Sequence, residues 1–209
     1  MTRPYRLGKR AGVAAHTRQR IIDSARDLIV AGGIGDASMH AIARHAATTR
    51  TTVYDQFGSR GELLLAVMND GLDRADVREV RKALQMRDPA QAMRRMIRAS
   101  CRFWASGHAL FAQVKGLALV DADIGAIDAT KEGVRRGHMV NLVGRLNNDG
   151  YLRAGCSRRM AVETLLFVTS FETFDQLHRR SGMREDVAAA VLVDMAARGL
   201  LGQGASAGT

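Results

Sequence analysis

Proline, cysteine and long apolar runs are all scarce in this chain, and each shortage excludes a class of protein. Only Pro4 and Pro89 occur among 209 residues, so little interrupts helices. No apolar run reaches the roughly 20 residues that span a bilayer, and no apolar signal-peptide core follows the basic N-terminus. The two cysteines, Cys101 and Cys156, form neither a CxxC pair nor a metal-ligand spacing. We therefore expect a helical cytoplasmic protein with no membrane segment, in which both cysteines are buried thiols.

Motifs that carry catalysis are also missing. The sequence has no GxSxG, no glycine-rich phosphate loop and no HExxH pair. Its carboxylates gather only at Asp121, Asp123 and Asp128, which are most simply interpreted as a helix start. Because acid–base and nucleophilic reactions need several reactive groups that converge, we predict that the chain is not an enzyme and that it binds no metal and no cofactor.

Positive charge, in contrast, is abundant and unevenly distributed. The formal net charge is +10. Residues 1–62 contain ten basic and five acidic side chains, whereas residues 63–209 have the same net charge of +5 over more than twice the length. The first 20 residues carry six basic groups and no acid. This basic end favours a nucleic-acid partner, although a solubilising tail or attraction to a membrane surface would produce the same charge.

The segment before the first amphipathic pattern, residues 1–15, contains Pro4, Gly8 and Gly12 among its basic residues. This composition is typical of mobile chain termini. We predict a flexible basic arm that lies along phosphates or enters a minor groove, or that is disordered in every state.

The stretch from Ser38 to Phe57 predicts two short helices joined by a tight turn. Ser38 would cap the first helix, which ends near His45, and a hydroxyl at Thr48 or Thr49 would cap the second. Apolar residues recur at helical spacings and would share one interior. These residues are Met39, Ile42, Ala43, Ala46, Val53 and Phe57. The opposite face of the second helix would present Arg50, Thr51, Thr52, Tyr54 and Gln56.

The side chains of that opposite face are a guanidinium, a phenol and short donors, which suit base edges and phosphate oxygens. We therefore interpret the stretch as a helix-turn-helix whose recognition helix runs from Thr49 to about Phe57. An alternative is that it has no special role, because two short helices with a turn occur in many folds and Arg and Thr often form a solvated helix face.

Amphipathic helices flank this motif on both sides. An apolar stripe predicts a helix from about Thr17 to Ala31, which stops at Gly32-Gly33. Ser59 and Glu62 form a capping box that starts a further helix, from Arg60 to about Leu84. The side chain of Arg60, in the first turn of that helix, could donate to a phosphate.

The order of these elements resembles the tetracycline-repressor (TetR) family of transcriptional regulators, over roughly residues 16–65. The residues that carry the resemblance are Ser38, Ile42-Ala43, Thr49, Thr52-Val53-Tyr54, Phe57, Ser59-Arg60 and Leu63. One departure is that Ala47 replaces the usual turn glycine, which would cost about 1 kcal/mol if the backbone there needs a positive φ. Gln56 stands in place of the usual His or Tyr, and Arg60-Gly61 in place of Lys and an acid.

The resemblance implies a role for each matching polar residue. Thr52 and Tyr54 would contact phosphates, whereas Arg50 and Thr51 would read base edges. Ser38 would either contact a backbone phosphate or only cap its helix. The full predicted DNA-binding set is Ser38, Thr49, Arg50, Thr51, Thr52, Tyr54, Gln56 and Arg60, in which Arg60 is a phosphate clamp.

An all-α fold with two parts is also implied by the resemblance. An N-terminal three-helix helix-turn-helix domain, residues 16–62, would be followed by a helical bundle, residues 63–202, that binds an effector and forms a dimer. The arm would occupy residues 1–15 and a disordered tail residues 203–209. Within the bundle we expect helical segments over about 89–106, 108–119, 124–148, 157–179 and 184–198. The last two would form a four-helix dimer interface with their copies in a second subunit.

An effector cavity would lie, by the same resemblance, between the helices that start near Pro89, Ile124 and Ser157. Met and aromatic side chains in this region adapt to varied ligands. The candidate lining residues are Trp104, Phe111, His138 and Phe171. At helical spacing such residues also form plain core, and His138 would then be structural or exposed.

The hypothesis that these observations favour is a dimeric, ligand-responsive repressor. It would bind a palindromic operator in double-stranded DNA and leave it when a small apolar effector enters the C-terminal bundle. Repression rather than activation follows only from the resemblance. An alternative is a thiol-based redox-sensing regulator that acts through Cys101 and Cys156, because two thiols in distinct helices permit that chemistry.

Overall fold

The computed structural model describes residues 5–74 and 77–202, without the side chains of residues 5–11, 73 and 123. The predicted tail and the first four residues of the predicted arm lie outside these ranges. The described residues form eleven α-helices and one π-helical turn, so the all-α prediction is confirmed. No helix in these ranges combines the length and apolar character needed to cross a membrane.

The helices, in chain order, are α1 (Tyr5–Gly32), α2 (Met39–His45), α3 (Arg50–Phe57), α4 (Arg60–Arg74), α5 (Val77–Leu84), α6 (Pro89–Ser106), α7 (His108–Ala118), α8 (Ala122–Asn148), α9 (Arg158–Val168), α10 (Phe171–Asp175) and α11 (Glu185–Leu200). The π-helical turn, Gln176–Arg180, follows α10 directly. One isolated antiparallel bridge pairs Leu152 with Leu201.

Helix α1 begins at Tyr5, about three turns before the predicted start at Thr17. Residues 5–15 therefore lie in a helix, and because a helical conformation does not test the mobility of the arm, its flexibility stays a prediction. Gly8 and Gly12 each weaken a helix by about 1 kcal/mol. The residues around them are mostly good helix formers, however, and extending an existing helix requires no new nucleation.

The predicted helix over residues 157–179 is interrupted. Helix α9 ends at Val168, and Ser170 caps α10 by accepting from the amide of Thr173 at 3.1 Å. Side chains supply donors to carbonyls at the end of α9: Arg135 Nη1 lies 2.9 Å from Leu166 O, and Trp104 Nε1 lies 2.9 Å from Thr169 O. Because these donors satisfy backbone groups that a continuous helix would pair internally, the break depends on residues far away in sequence.

The described residues group into two compact units, and neither unit is one continuous stretch of chain. The first unit comprises the described residues of 1–71 and 109–128, and the second those of 72–108 and 129–209. These units are compact clusters rather than the predicted domains, whose bounds remain predictions. Because the unit borders fall within α4, α7 and α8, these three helices each contribute residues to both units.

The core of the first unit joins α1 to the two short helices and to parts of α4, α7 and α8. Its fully buried or nearly buried members include Ile21, Ala25, Ile29, Ile42, Val53, Leu63, Val67, Leu110, Val114 and Ile124. Helices α4 and α7 approach closely at Gly71, where an added Cβ would lie only 2.8 Å from Leu110 Cδ2. A glycine at this position therefore permits the observed packing of α7.

The core of the second unit is built from methionine and aromatic side chains. Helix α6 packs against α5 and α11, and α9 and α10 complete the enclosure. The buried residues include Met93, Met96, Ile97, Phe103, Trp104, Met139, Leu142, Leu146, Phe171, Phe174 and Leu192. Asp88 starts α6 by accepting from the amides of Ala90 and Gln91, with Pro89 in the first turn, as the sequence predicts.

Candidate DNA-binding surface

Two side-chain caps define the two short helices at the predicted positions. Ser38 Oγ accepts from the amide of Ala41 at 3.1 Å and starts α2. Thr49 Oγ1 accepts from the amide of Thr52 at 3.1 Å and starts α3. The two caps confirm the predicted helix starts, because each hydroxyl satisfies an amide that has no partner within its helix.

The turn between α2 and α3 passes through Ala47, whose φ is +48°. Within the described residues, Ala47 is the one non-glycine with a positive φ. The backbone at position 47 therefore does adopt the positive φ at which an alanine is strained. A Cβ in the left-handed region costs about 1–2 kcal/mol, so the turn is held in place by the packing and hydrogen bonds on either side of it. In one of these hydrogen bonds, the amide of Thr48 donates to Ala43 O at 2.9 Å.

The inner sides of α2 and α3 are buried as the apolar spacing predicts. Exposure is 0% for Ile42 and Val53 and 6% for Met39 and Phe57. Burial of this side orients α3 so that its other side is open to solvent.

The open side of α3 carries Arg50, Thr51 and Tyr54, and the Tyr54 side chain is 39% exposed. Arg50 Nη2 donates to Tyr54 Oη at 3.4 Å, and the guanidinium carbon of Arg50 lies 5.4 Å from the Tyr54 ring centroid. The two side chains are one helical turn apart, so each restricts the conformations of the other. Together they present hydrogen-bond donors and an aromatic edge on one surface.

Thr52 and Gln56 occupy less open positions on the same side, whereas Thr49, the N-cap residue, is exposed. The hydroxyls of Thr49 and Thr52 lie 2.8 Å apart, so one of them donates to the other and one hydrogen remains for an outside acceptor. Thr52 and Gln56 are half-buried. Their contacts with DNA stay predictions, as do those of Ser38, whose Oγ can still donate its hydrogen while it accepts from the helix.

Arg60 lies differently from the phosphate clamp that the resemblance implies. Its Nη2 donates to Ile34 O, in the loop before α2, at 2.8 Å. Its Nε is buried and has no hydrogen-bond partner. This geometry favours a structural role, in which Arg60 ties the start of α4 to the loop that leads into the helix-turn-helix.

Arg18 is a residue that the sequence did not single out beyond its charge. Its Nη1 donates to Gln56 O at 2.6 Å, and its guanidinium carbon lies 4.1 Å above the centroid of the Phe57 ring. No local pattern could have revealed this contact, because 38 residues separate Arg18 from Gln56.

Two of the four candidate effector-binding residues lie together within one unit. Trp104 and Phe171 meet edge to face in the second unit, with ring centroids 5.6 Å apart. Phe111 is buried but belongs to the first unit. His138 is exposed, which agrees with its interpretation as a structural or exposed residue, and its place in a cavity lining stays a prediction. Helix α8 turns Met139 and Leu142 into the core, and His138 shares its outer side with Gly137 and Asn141.

Two open grooves in the second unit have other linings. An open groove of about 590 Å³ lies between α8 and α9, beside the Arg136–Glu163 ion pair. A second, of about 560 Å³, lies between α6 and α11 beside Arg98 and Arg198. Neither groove includes a candidate effector-binding residue.

The two cysteines differ in their capacity to react. Burial raises the pKa of the Cys101 thiol to about 12, with a smaller contribution from the negative charge of Glu185. A thiol with such a pKa stays protonated at neutral pH and is a poor nucleophile. Cys156 is half-buried in the loop before α9, so the expectation of two buried thiols is wrong for it. The burial of Cys101 weakens the part of the redox alternative that needs a thiolate at Cys101.

Comparison with known proteins agrees with this geometry. Residues 21–67 match the family model described as bacterial regulatory proteins, tetR family. The HTH-type transcriptional regulator SrpR of Pseudomonas putida is 48% identical over 60 residues, which cover 29% of this chain and 28% of that protein. The match thus spans less than a third of that relative's length.

Two solved structures resemble nearly the whole chain in fold. One is a candidate transcriptional regulator from Saccharomonospora viridis in complex with choline, 17% identical, with a TM-score of 0.71 over 90% of this chain and 100% of that one. The other is the TetR family transcriptional regulator PfmR from Thermus thermophilus, 23% identical, with a TM-score of 0.67 over 88% and 96% of the two chains. Residues 21–67, which contain the capped helix-turn-helix, are therefore similar to the tetR family of bacterial regulatory proteins, and the solved structures share the fold of the chain.

Proposed function

We propose that this chain is a dimeric transcriptional repressor that reads a palindromic DNA operator through α3 and leaves it when a small apolar effector binds. The single observation that carries the proposal is the exposed side of α3. There Arg50, Thr51 and Tyr54 face solvent on a helix whose inner side is buried and whose first turn is capped. A rigid helix with short donors on its outer side fits a major groove.

Each exposed side chain has a distinct task in this proposal. Arg50 donates to the acceptors of a guanine edge, the commonest specific contact in the major groove. Its pairing with Tyr54 holds the guanidinium in place before DNA arrives, so less side-chain entropy is lost on binding. Thr51 reads an adjacent base edge, and the Tyr54 hydroxyl reaches a phosphate oxygen.

The test begins with duplexes that the wild-type protein selects from a random-sequence pool. We expect a palindromic sequence with salt-sensitive binding. Arg50→Ala should weaken binding by about 1–3 kcal/mol and relax specificity at one position of each half-site. The matched control is Arg44→Ala, which removes the same charge from an exposed position of α2. Selection of no sequence by the wild-type protein would refute the proposal.

Dimer formation is proposed through the outer sides of α9 and α11. Large apolar side chains are exposed there: Met160 is 41% and Phe167 60% exposed on α9, and Val187 is 46% and Met195 48% exposed on α11. Exposed apolar side chains gathered on neighbouring helices are typical of association surfaces. A twofold dimer would place two copies of α3 about 34 Å apart, one turn of the DNA.

A charge placed in this surface tests the dimer. We expect Phe167→Glu to convert the dimer to a monomer in sedimentation equilibrium and to weaken operator binding. The matched control is Leu119→Glu, which places the same charge at a residue that is 85% exposed outside the proposed interface. Equal behaviour of the two variants would contradict the assignment of this surface.

A small-molecule effector in the second unit is supported by the aromatic cluster of Trp104 and Phe171 beside the break between α9 and α10. The structural relative that was solved with choline shows that a protein of this fold holds a small molecule. Trp104 is the single tryptophan, so its fluorescence reports binding near this cluster. We expect an apolar effector to change that fluorescence and to weaken operator binding over the same concentration range. A compound that releases DNA without any change at Trp104 would place its site elsewhere.

A further inference from the structure

The carboxyl end of α3 has an unusual support. Helix α3 has eight residues, and its last carbonyls have no amide partner within the helix. Gly58, with a φ of +71°, ends the helix, and its amide donates a hydrogen bond to Tyr54 O at 2.7 Å. The carbonyl of Gln56 is one of those that this amide leaves without a donor, and Arg18 of α1 supplies one.

One guanidinium makes two contacts at this point. Arg18 Nη1 lies 2.6 Å from Gln56 O, while the guanidinium carbon lies 4.1 Å from the ring centroid of Phe57. Phe57 itself is only 6% exposed, so the ring that Arg18 covers is fixed in the core of the first unit. The positive charge also sits at the negative end of the helix dipole, where a cation is favourable.

This contact bears directly on the orientation of α3. Among the side chains that the structure describes, Arg18 is the one that hydrogen-bonds α1 to α3. The helix has only two fully or nearly buried anchors, Val53 and Phe57. A small rotation about its axis would therefore displace Arg50 and Tyr54 on the opposite side by a comparable angle.

We infer that Arg18 is a positioning residue, which fixes the orientation of the recognition helix and so determines base discrimination without itself touching DNA. The inference rests on the proposed DNA-reading role of α3. It assigns to Arg18 a task that differs from that of the other basic residues near the N-terminus, because its guanidinium is already engaged by protein groups.

Three variants separate positioning from simple loss of charge. Arg18→Ala removes both contacts. Arg18→Lys keeps the charge but cannot cover the ring and reach the carbonyl with one planar group. Arg20→Ala removes the same charge from an exposed position two residues further along α1. The probe is the duplex selected by the wild-type protein, together with a copy in which one selected base of each half-site is changed.

The measured quantities are the ratio of affinities for the two duplexes and the slope of log affinity against log salt. We expect Arg18→Ala to lower the ratio roughly tenfold, the effect of losing one charge-assisted hydrogen bond, and to leave the slope at the wild-type value. Arg18→Lys should fall between Arg18→Ala and the wild type in this ratio. Arg20→Ala should keep the ratio, because removing a residue that acts only by charge weakens both duplexes equally.

Two results would overturn the inference. In one, Arg18→Ala keeps the ratio and lowers the slope by about one, the signature of a lost phosphate contact. In the other, it changes neither quantity. If Arg18→Ala fails to fold in a thermal scan, Arg18→Lys carries the decision, and an unchanged ratio for that variant overturns the inference. Failure of the wild-type protein to select any duplex would instead refute the proposed function.

Discussion

In the first unit the side chains of the proposed DNA-binding surface lie outside the core, whereas in the second unit the proposed effector-binding side chains lie within it. Arg50, Thr51 and Tyr54 face solvent on α3. Trp104 and Phe171, in contrast, are 9% and 6% exposed and pack against each other. Exposed polar side chains contribute little to packing, so substitutions among them test binding with little effect on stability. A buried aromatic cluster serves packing whether or not a ligand ever enters it.

The largest expected effect tests how strongly the second unit depends on its aromatic core. Phe174 is 1% exposed and stacks on His178, with ring centroids 5.0 Å apart. We expect Phe174→Ala to lower the free energy of unfolding by about 3–5 kcal/mol, because it removes buried area and leaves a cavity. Urea unfolding followed by Trp104 fluorescence measures this, since Trp104 lies in the second unit.

A matched surface change sharpens that result. Leu119 is 85% exposed, so Leu119→Ala should change stability by less than about 0.5 kcal/mol. Similar losses for Phe174→Ala and Leu119→Ala would show that the aromatic cluster is not a packed core.

A smaller effect is expected from the hydrogen bond of the indole. Trp104 Nε1 donates to Thr169 O at 2.9 Å, in a buried position where α9 breaks. Trp104→Phe leaves this carbonyl without its donor, which should cost about 1–3 kcal/mol. Circular dichroism during urea unfolding measures the loss, because the variant has no tryptophan. An unchanged midpoint would mean that the break between α9 and α10 does not depend on this bond.

Two backbone positions in the first unit should give opposite effects of similar size. Ala47→Gly relieves a positive φ at the helix-turn-helix turn and should stabilise the protein by about 0.5–1 kcal/mol. Gly58→Ala introduces the same strain after α3 and should destabilise it by about 1 kcal/mol. Both are measured as shifts of the urea midpoint at constant slope. Loss of stability in Ala47→Gly would mean that the turn is not strained.

The smallest effect near neutral pH concerns Cys101. Its pKa is raised by burial to about 12, above the ordinary value of 9.0, so the folded state holds the proton more tightly than the unfolded state. This contribution to stability is fully present below about pH 9 and is lost as pH rises towards 12. Comparison of unfolding free energies between the wild type and Cys101→Ala across this range isolates it from other groups. Parallel curves for the two proteins would contradict the raised pKa.

The helix-turn-helix could be predicted from the sequence because its signals are local. Ser38, Thr49 and Ser59 each cap a helix through an amide three residues away, and all three caps are confirmed. The buried residues of α2 and α3 likewise follow from spacing alone. These effects operate within one or two turns of helix, so a short stretch of sequence contains all the information that they need.

The remaining features depend on contacts between distant residues. Arg18 donates to the carbonyl of Gln56, and Arg60 donates to that of Ile34. Trp104 donates to the carbonyl of Thr169, where α9 ends. None of these pairs leaves a periodic pattern in the sequence. The extension of α1 to Tyr5 was missed for a different reason. Gly8 and Gly12 favour an irregular segment when residues 1–15 are considered alone, but a long helix can extend through both glycines without a new nucleation step.

The discontinuous first unit limits how its helix-turn-helix can be transplanted into another protein. Residues 109–128 supply Leu110, Val114 and Ile124 to its core, although they follow α3 by more than fifty positions. A fragment cut at residue 71 would therefore expose an apolar surface that these side chains normally cover. A chimaera that transfers this helix-turn-helix to another protein should therefore include residues 109–128 as well. Gly71 and Leu110 should both be retained, because an added Cβ at position 71 would lie 2.8 Å from Leu110 Cδ2.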